Sequence, residues 1–206
     1  MDEIPIVGAG PTGIACAIEL AKRGFAAACY DRGHILHSIY RFPEEMRWYS
    51  TRDLLDIAGI PFGIPDAHPT RLETLAYYRA VAERFAVRVI PETEIVSITP
   101  RPGGGLDVMA AGAGGERRLA APAAIIATGF FDNPRRLGVP GEDLPHVHRR
   151  FVSGYPFHAR DVVVIGGKNS AAEAALDLYR HGARVTLVVR APAISDRVKY
   201  WIKPDL

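Results

Sequence analysis

The sequence predicts an α/β protein built from two Rossmann-like dinucleotide-binding modules, the first carrying a β-meander and the second incomplete. Three observations predict it. A glycine-rich turn, Gly8-Ala9-Gly10-Pro11-Thr12-Gly13, follows a short apolar strand and opens a helical stretch. The same pattern returns without a gap at an offset of 158 residues, laying Gly8 on Gly166, Gly10 on Lys168, Gly13 on Ala171 and Gly24 on Gly182. Between the copies lie three short strand-like runs joined by glycine turns, which together read as a meander. Strand–helix–strand units at both ends argue for parallel sheets.

In chain order, residues 4–7 form the first strand. Pro5 is placed at its first position, because proline has no N–H to give a central ladder. Residues 14–22 are helical, Gly24 stops that helix, and 25–30 form a second buried strand. The proline- and aromatic-rich stretch 33–68 is long for a structureless connection, so a short helix is expected over 52–58. Thr70-Arg71-Leu72-Glu73 is a capping box that opens a helix running to about Phe85. A third strand over 87–90 precedes the meander, which takes 94–99, 106–110 and 116–119. Residues 123–127 form an apolar strand ending at Thr128-Gly129. A strand over 161–165, a helix over 169–181 and a strand over 184–189 complete the chain. The expected division is a first dinucleotide-binding domain over 1–131, a connector over 132–160, and a partial second one over 161–206.

Composition excludes several classes of function. At 206 residues, 48% apolar and 23% charged, the chain can bury a sizeable core. Its 25 basic and 23 acidic residues leave a net charge of +2 with no basic stripe, so no nucleic-acid partner is expected. The apolar run 120–131 is broken by Pro122 and Gly129, and no run approaches the roughly 18 residues of a membrane span. The start, Met1-Asp2-Glu3, enters a strand with no basic leader. Two cysteines, Cys16 and Cys29, do not make a disulfide scaffold, and a cytoplasmic protein is expected. His146 and His148 lack cysteine or carboxylate companions at ligand spacing, so they read as a solvated linker and no metal is expected.

The glycine turn has the context that dinucleotide recognition needs: a strand before it, a helix after it, and an acid, Asp31, 18 residues beyond Gly13. Glycines permit the tight turn and the approach of backbone to a pyrophosphate, and the acid accepts hydrogen bonds from a ribose. The bland alternative is a merely tight strand–helix turn. In the second copy Lys168 narrows that approach but brings a cation to a phosphate, unless it is simply solvated. Val189 replaces the acid and Arg190 follows it, which suits the 2′-phosphate of NADP. Two dinucleotide sites in one chain suggest a nicotinamide donating hydride to a flavin.

With these residues in place, the chain resembles the thioredoxin-reductase-like flavoprotein disulfide reductases. Gly8 to Gly13, the meander, Ala127-Thr128-Gly129 and Val139-Pro140-Gly141-Glu142-Asp143 occur in that family's order. It is more closely similar to the bacillithiol disulfide reductase family of YpdA type. That family's signatures read here as Ser38-Ile39-Tyr40, Tyr49-Ser50-Thr51, Ile60-Pro61-Phe62, Pro69-Thr70-Arg71, Ala76-Tyr77-Tyr78-Arg79 and Asp132-Asn133-Pro134. Gly166-Gly167-Lys168-Asn169-Ser170-Ala171 is the most specific of them, since related reductases have glycine where Lys168 stands.

The resemblance implies FAD at the first turn, with Gly8, Gly10, Pro11, Thr12 and Gly13 around the pyrophosphate and Asp31, with Arg32 beside it, at the ribose. Thr128 and Gly129 would close over the same cofactor. Ser38, Tyr40 and Ser50 would lie on its flavin side, or else belong to a packed loop with satisfied hydroxyls. Gly166, Lys168, Asn169, Ser170 and Arg190 would hold NADPH. The implied activity is hydride transfer from NADPH to flavin and on to a low-molecular-weight disulfide or another small molecule, with a homodimer as an open expectation.

Two departures stand out. Thr12 occupies the position where the family has its thiol-active cysteine, and a hydroxyl cannot form a mixed disulfide. Cys16, one helical turn on, and Cys29, in a strand, read as core residues. The Cys-x-x-Cys of thioredoxin reductases is absent, so no catalytic residue is assigned. Only 40 residues follow Gly166, about one strand–helix–strand unit of roughly 30 residues. The family continues beyond that point, so a shortened chain without the segment that covers the flavin is expected. Two rivals remain open: a nucleotide-binding module or fragment without turnover, and a monooxygenase-like flavoprotein. For the latter, Phe151 is one residue too far from Gly154 to match the monooxygenase spacing.

Overall fold

Pro5 sits inside a strand that is paired on both sides. In the computed structural model, which describes residues 3–206, β1 (Ile4–Val7) lies between β2 (Ala27–Tyr30) and β7 (Ile125–Ile126) in a parallel sheet ordered β3-β2-β1-β7. Met1 and Asp2, part of the start read above, lie outside the described residues. Pro5 is therefore the second residue of a central strand, not the first. The ladder tolerates it by alternation. Ile4 N–H reaches Ala26 and Gly8 N–H reaches Tyr30 on the β2 side, so the Pro5 nitrogen faces β7, whose pairing begins only at Ile6.

Two compact units divide the chain. The first comprises Met1–Arg41 and Ser50–Asn133, the second Phe42–Tyr49 and Pro134–Leu206. In the first, α1 (Pro11–Lys22) starts with proline at the position where a missing N–H is harmless. It buries Gly13, Ile14, Ala17 and Ile18, one helical face. Ile6, Ala9, Ala17 and Cys29 form the centre of this core. β3 (Val89–Ile90) is shorter than expected: Ala86 has φ 48° and Val87 N–H still bonds back to Ala82, closing the helix before it. That helix, α3 (Arg71–Arg84), has the full capping box, with Thr70 N–H 2.8 Å from Glu73 Oε2 and Thr70 Oγ1 accepting from Glu73 N–H. β4 (Thr93–Pro100), β5 (Leu106–Gly112) and β6 (Gly115–Ala121) form the antiparallel meander. The strand expected over 123–127 shrinks to β7, since only two of its residues find β1 partners.

The expected helix over 52–58 does not form. A single 3₁₀ turn, Arg52–Leu54, stands there, and Ala58 (φ 59°) and Gly59 (φ 77°) then enter the left-handed region. The Tyr77 hydroxyl holds this loop instead, accepting from Ile57 N–H at 2.8 Å and donating to the Ile60 carbonyl at 2.6 Å. A one-turn helix not foreseen from sequence, α2 (His37–Tyr40), follows the first nucleotide turn.

In the second unit β8 (Asp161–Ile165) and β9 (Arg184–Val188) pair in parallel, joined through α4 (Asn169–Arg180). Val198 and Ile202 pack on Ala172 and Leu176, with Tyr49 alongside. Residues 134–160 belong to this unit. The nearly buried Glu142 carboxylate accepts Leu137 N–H at 2.9 Å and Gly138 N–H at 2.8 Å, and Arg149 and Arg136 flank it at 3.4 and 3.9 Å. Those amides first, and the two guanidinium groups after them, hold its carboxyl below the ordinary 4.5. A carboxyl depressed in the folded state stabilises above its unfolded value and stops doing so as the pH falls through its folded value. Protection of the Leu137 and Gly138 amide protons, relative to their intrinsic exchange at the same pH, should therefore fall in Glu142→Ala at neutral pH, and fall in the parent once the pH drops below the normal carboxylate range. Unchanged protection would show that the carboxylate does not hold this turn.

Candidate nucleotide sites

The first turn is shaped by what its glycines leave out. Gly8 has φ 110°, and a Cβ there would lie 2.4 Å from the Ala127 carbonyl oxygen. At Gly13 a Cβ would lie 2.0 Å from the Gly8 carbonyl oxygen, so helix and turn touch backbone to backbone. Gly10 differs, since its Cβ position has nothing within 4 Å. Pro11 has no N–H and Ile14 N–H closes on Gly10, which leaves the Thr12 and Gly13 N–H groups without helical acceptors beside that opening. An open face with two N–H groups at a helix N-terminus fits a pyrophosphate.

Asp31 clamps the turn. Its Oδ2 accepts Ala9 N–H at 2.9 Å and its Oδ1 accepts Gly33 N–H at 2.9 Å, so each oxygen keeps lone-pair capacity for a ribose hydroxyl. The Ala9 carbonyl in turn accepts Leu36 N–H at 3.0 Å, which brings Ser38 and Tyr40 back beside the turn. Ser38 is half-buried; Tyr40 is exposed, edge-on to the His34 ring at 4.9 Å, with Arg71 5.9 Å from its own ring. Thr128 and Gly129 are exposed immediately beyond β7, with the Thr128 backbone beside Gly8. Arg32 is not held out toward a ligand: its guanidinium pairs with Asp132 at 2.6 Å, and Arg41 reaches the same carboxylate at 3.5 Å. Ser50 is half-buried and no hydrogen bond ties it to the turn among the described residues.

The second turn repeats the first bond for bond. Gly8 N–H to Tyr30 (2.7 Å) becomes Gly166 N–H to Val188 (2.9 Å), and Phe25 N–H to Leu20 becomes Ala183 N–H to Leu178, both at 3.0 Å. At the same offset α1 maps onto α4 without an overhang. Gly10 and Lys168 cap the two helices with extended backbone, ψ −177° and −176°, so the cap itself does not require glycine and Lys168 fits. The sites part at the acid. Where Asp31 grips Ala9, the Val189 side chain lies over Gly167, so close that a Cβ at Gly167 would sit 2.4 Å from it. Lys168 and Arg190 are both exposed.

Asn169 turns its side chain to the backbone of the returning chain, and Ser170 is exposed beside Tyr49. Asn169 Oδ1 accepts Lys199 N–H at 2.9 Å, and the Ser170 hydroxyl donates to Tyr49. Tyr49 donates to Glu173 Oε2 at 2.6 Å, and burial pushes both the phenol and the carboxyl up. A ligand at this turn would therefore meet the backbone N–H groups of Asn169 and Ser170. The Tyr49–Glu173 pair was not found from sequence, where Tyr49 stood only inside a signature tripeptide and no spacing links residues 124 apart.

Burial, above all, pushes the Cys29 thiol up to about 12, which makes it inert. Cys16 edges a surface hollow with Glu19, Leu20, Arg23 and Ile125, toward the end of α1 remote from the turn. Among the described residues no three His, Cys, Asp or Glu side chains are grouped to hold a metal, and no helix is long and apolar enough to cross a membrane.

A parallel sheet opened by a glycine turn, and a second turn matching it bond for bond, define a protein of the paired dinucleotide-binding class. The profile of the pyridine nucleotide-disulphide oxidoreductase family matches residues 5–206, and the chain belongs to that family. It is 38% identical over 200 residues to bacilliredoxin reductase Bdr of Bacillus subtilis (strain 168), covering 97% of this chain and 60% of that protein. Two solved structures are similar. The bacillithiol disulfide reductase Bdr (YpdA) from Bacillus cereus has a TM-score of 0.93 at 38% identity, over 99% of this chain and 63% of that one. Its namesake from Staphylococcus aureus has 0.89 at 32%, over 100% and 62%. The chain thus spans about three-fifths of the length of these relatives.

Proposed function

We propose that the chain carries the two nucleotide sites of an NADPH-driven, FAD-dependent oxidoreductase whose electrons pass to a disulfide-type or other small-molecule acceptor. The observation that carries this reading is the pair of equivalent turns, of which only the first carries the acid. FAD, when bound, would supply the hydride acceptor that no protein side chain can. At the first turn Thr12 and Gly13 N–H groups would meet its pyrophosphate and Asp31 its ribose. At the second, Asn169 and Ser170 N–H groups with Lys168 would meet the pyrophosphate of NADPH. The names of the similar proteins support a disulfide acceptor; Thr12, which cannot form a mixed disulfide, supports electron transfer without a covalent link at that position. The free thiols fit a cytoplasmic location.

The test is the absorbance spectrum of the purified chain supplied with FAD under anaerobic conditions, before and after NADPH. Bound flavin bands that bleach on adding NADPH are expected. Bound flavin that stays oxidised would identify a binding module without turnover and overturn the reading.

Nucleotide choice is a second expected result. No carboxylate at Val189 repels a 2′-phosphate, and a charge-assisted bond from Arg190 is worth roughly 1.5–3 kcal/mol, or about tenfold or more in affinity. NADPH should bind more tightly than NADH by that factor, and Arg190→Ala should remove most of the difference. A preference untouched by the substitution places the discrimination elsewhere.

A further inference from the structure

The correspondence between the two turns does not stop at the second strand of each unit. In the first unit the chain leaves β2 and returns so that Leu36 N–H bonds to the Ala9 carbonyl at 3.0 Å. In the second it leaves β9 and returns so that Ser195 N–H bonds to the Gly167 carbonyl, also at 3.0 Å. Ala9 and Gly167 are equivalent positions. Each returning segment then makes a tight turn at once, Tyr40 N–H closing on Leu36 and Val198 N–H on Ser195. Counted from these two clips, Lys199 falls where Tyr40 falls in the first unit. Lys199 is fastened a second time, its own N–H bonding to Asn169 Oδ1 at the first residue of α4. Its ammonium lies 5.6 Å from the Trp201 ring, over a side chain packed on the α4 face. None of its contacts is an ion pair among the described residues, unlike Lys203, which pairs with Asp196 at 2.8 Å.

We propose that Lys199 is a further nucleotide-binding residue, whose ammonium neutralises the pyrophosphate of the nicotinamide nucleotide at the second turn. This rests on reading that turn as the nicotinamide site. The bonds of Ser195 to Gly167 and of Lys199 to Asn169 keep the lysine backbone at the mouth of the turn, so only its flexible stem must reorient for the ammonium to leave the indole and meet phosphate oxygens. Lys168 reaches the same anion from the turn itself. Two lysines in this way replace what the glycine of the first turn supplies through close backbone approach. Arg190 is left to the 2′-phosphate at the strand end.

Calorimetric titration of the chain with NADP⁺ and, separately, NAD⁺ tests this with Lys199→Met, which keeps the apolar stem over Trp201, and with Lys199→Arg, which keeps the charge. Losing one charge-assisted contact should weaken both nucleotides about tenfold in Lys199→Met. The NADP⁺/NAD⁺ ratio should stay at the parent value, the dependence of affinity on salt should flatten, and Lys199→Arg should recover most of the loss. Parent-like affinity in Lys199→Met overturns the proposal. A loss confined to NADP⁺ also overturns it, since the ammonium would then serve the 2′-phosphate. Failure of the unsubstituted chain to bind either nucleotide overturns the nicotinamide reading itself, a different result from the first two. Melting of each variant without nucleotide checks the fold, and Lys199→Gln repeats the comparison should the methionine variant be destabilised.

Discussion

Asp31→Ala is expected to weaken FAD binding about tenfold or more while leaving the second site intact, since a ribose hydrogen bond to a charged group contributes roughly 1.5–3 kcal/mol. The carboxylate also accepts the Ala9 and Gly33 amides at 2.9 Å each. Those two bonds hold the turn in the free and bound protein alike, so their loss should show as a lower melting midpoint rather than as affinity. Asp31→Asn keeps an acceptor for one amide and should fall between. Calorimetric FAD titration of the three proteins checks the order, and NADP⁺ titration serves as the internal control. FAD binding within threefold of the parent in Asp31→Ala would remove the acid from the site.

The second large effect separates folding from binding at two glycines three residues apart. Glycine-to-alanine changes at compatible positions usually stabilise by about 0.4–1 kcal/mol. Gly13→Ala should do the opposite, because the new methyl would meet the Gly8 carbonyl oxygen at 2.0 Å and backbone would have to give. Overpacking of this kind costs about 1–3 kcal/mol, and at about 2–4 °C per kcal/mol for a chain of this size the melting midpoint should fall by at least about 2 °C. Gly10→Ala has open space and φ −82°, so its midpoint should hold while FAD affinity drops, its methyl standing where the pyrophosphate would approach. Thermal melts and FAD titrations of the pair read the contrast. A Gly13→Ala protein melting at or above the parent would sink it.

The parts legible from sequence were those written in local periodicity or in self-similarity. The presence of α1 and α4 and their ends near Lys22 and Arg180, the capping box at Thr70 and the meander follow from residues within a few positions of each other, and the offset of 158 residues marks the second turn. What stayed hidden depends on partners distant in the chain. Pro5 could stand in a central strand only because β7 pairs late, and a two-residue strand gives no periodic signal. A helix is expected before Ala58 only because the connection is long, yet a tyrosine hydroxyl twenty residues beyond Ile57 holds the loop with two hydrogen bonds instead. At the candidate sites, residue types were legible but their directions were not. Asn169 and Ser170 offer backbone rather than side chain, and Arg32 is spent on Asp132.

Tyr49 and Glu173 bear on how the protein is made. The hydroxyl and carboxyl they join are 124 residues apart, and the segment Phe42–Tyr49 belongs to a unit whose remainder begins at Pro134. On a ribosome adding roughly 5–20 residues per second, Tyr49 waits many seconds for the helix that will receive it. Closing so long a loop is also entropically costly and favours late docking. The second unit should therefore be the last to consolidate during synthesis. A dissection at residue 133 would strand its carboxyl-terminal piece with a buried Glu173 and no phenol to cap it, so the natural seam for cutting this chain is not the linear one.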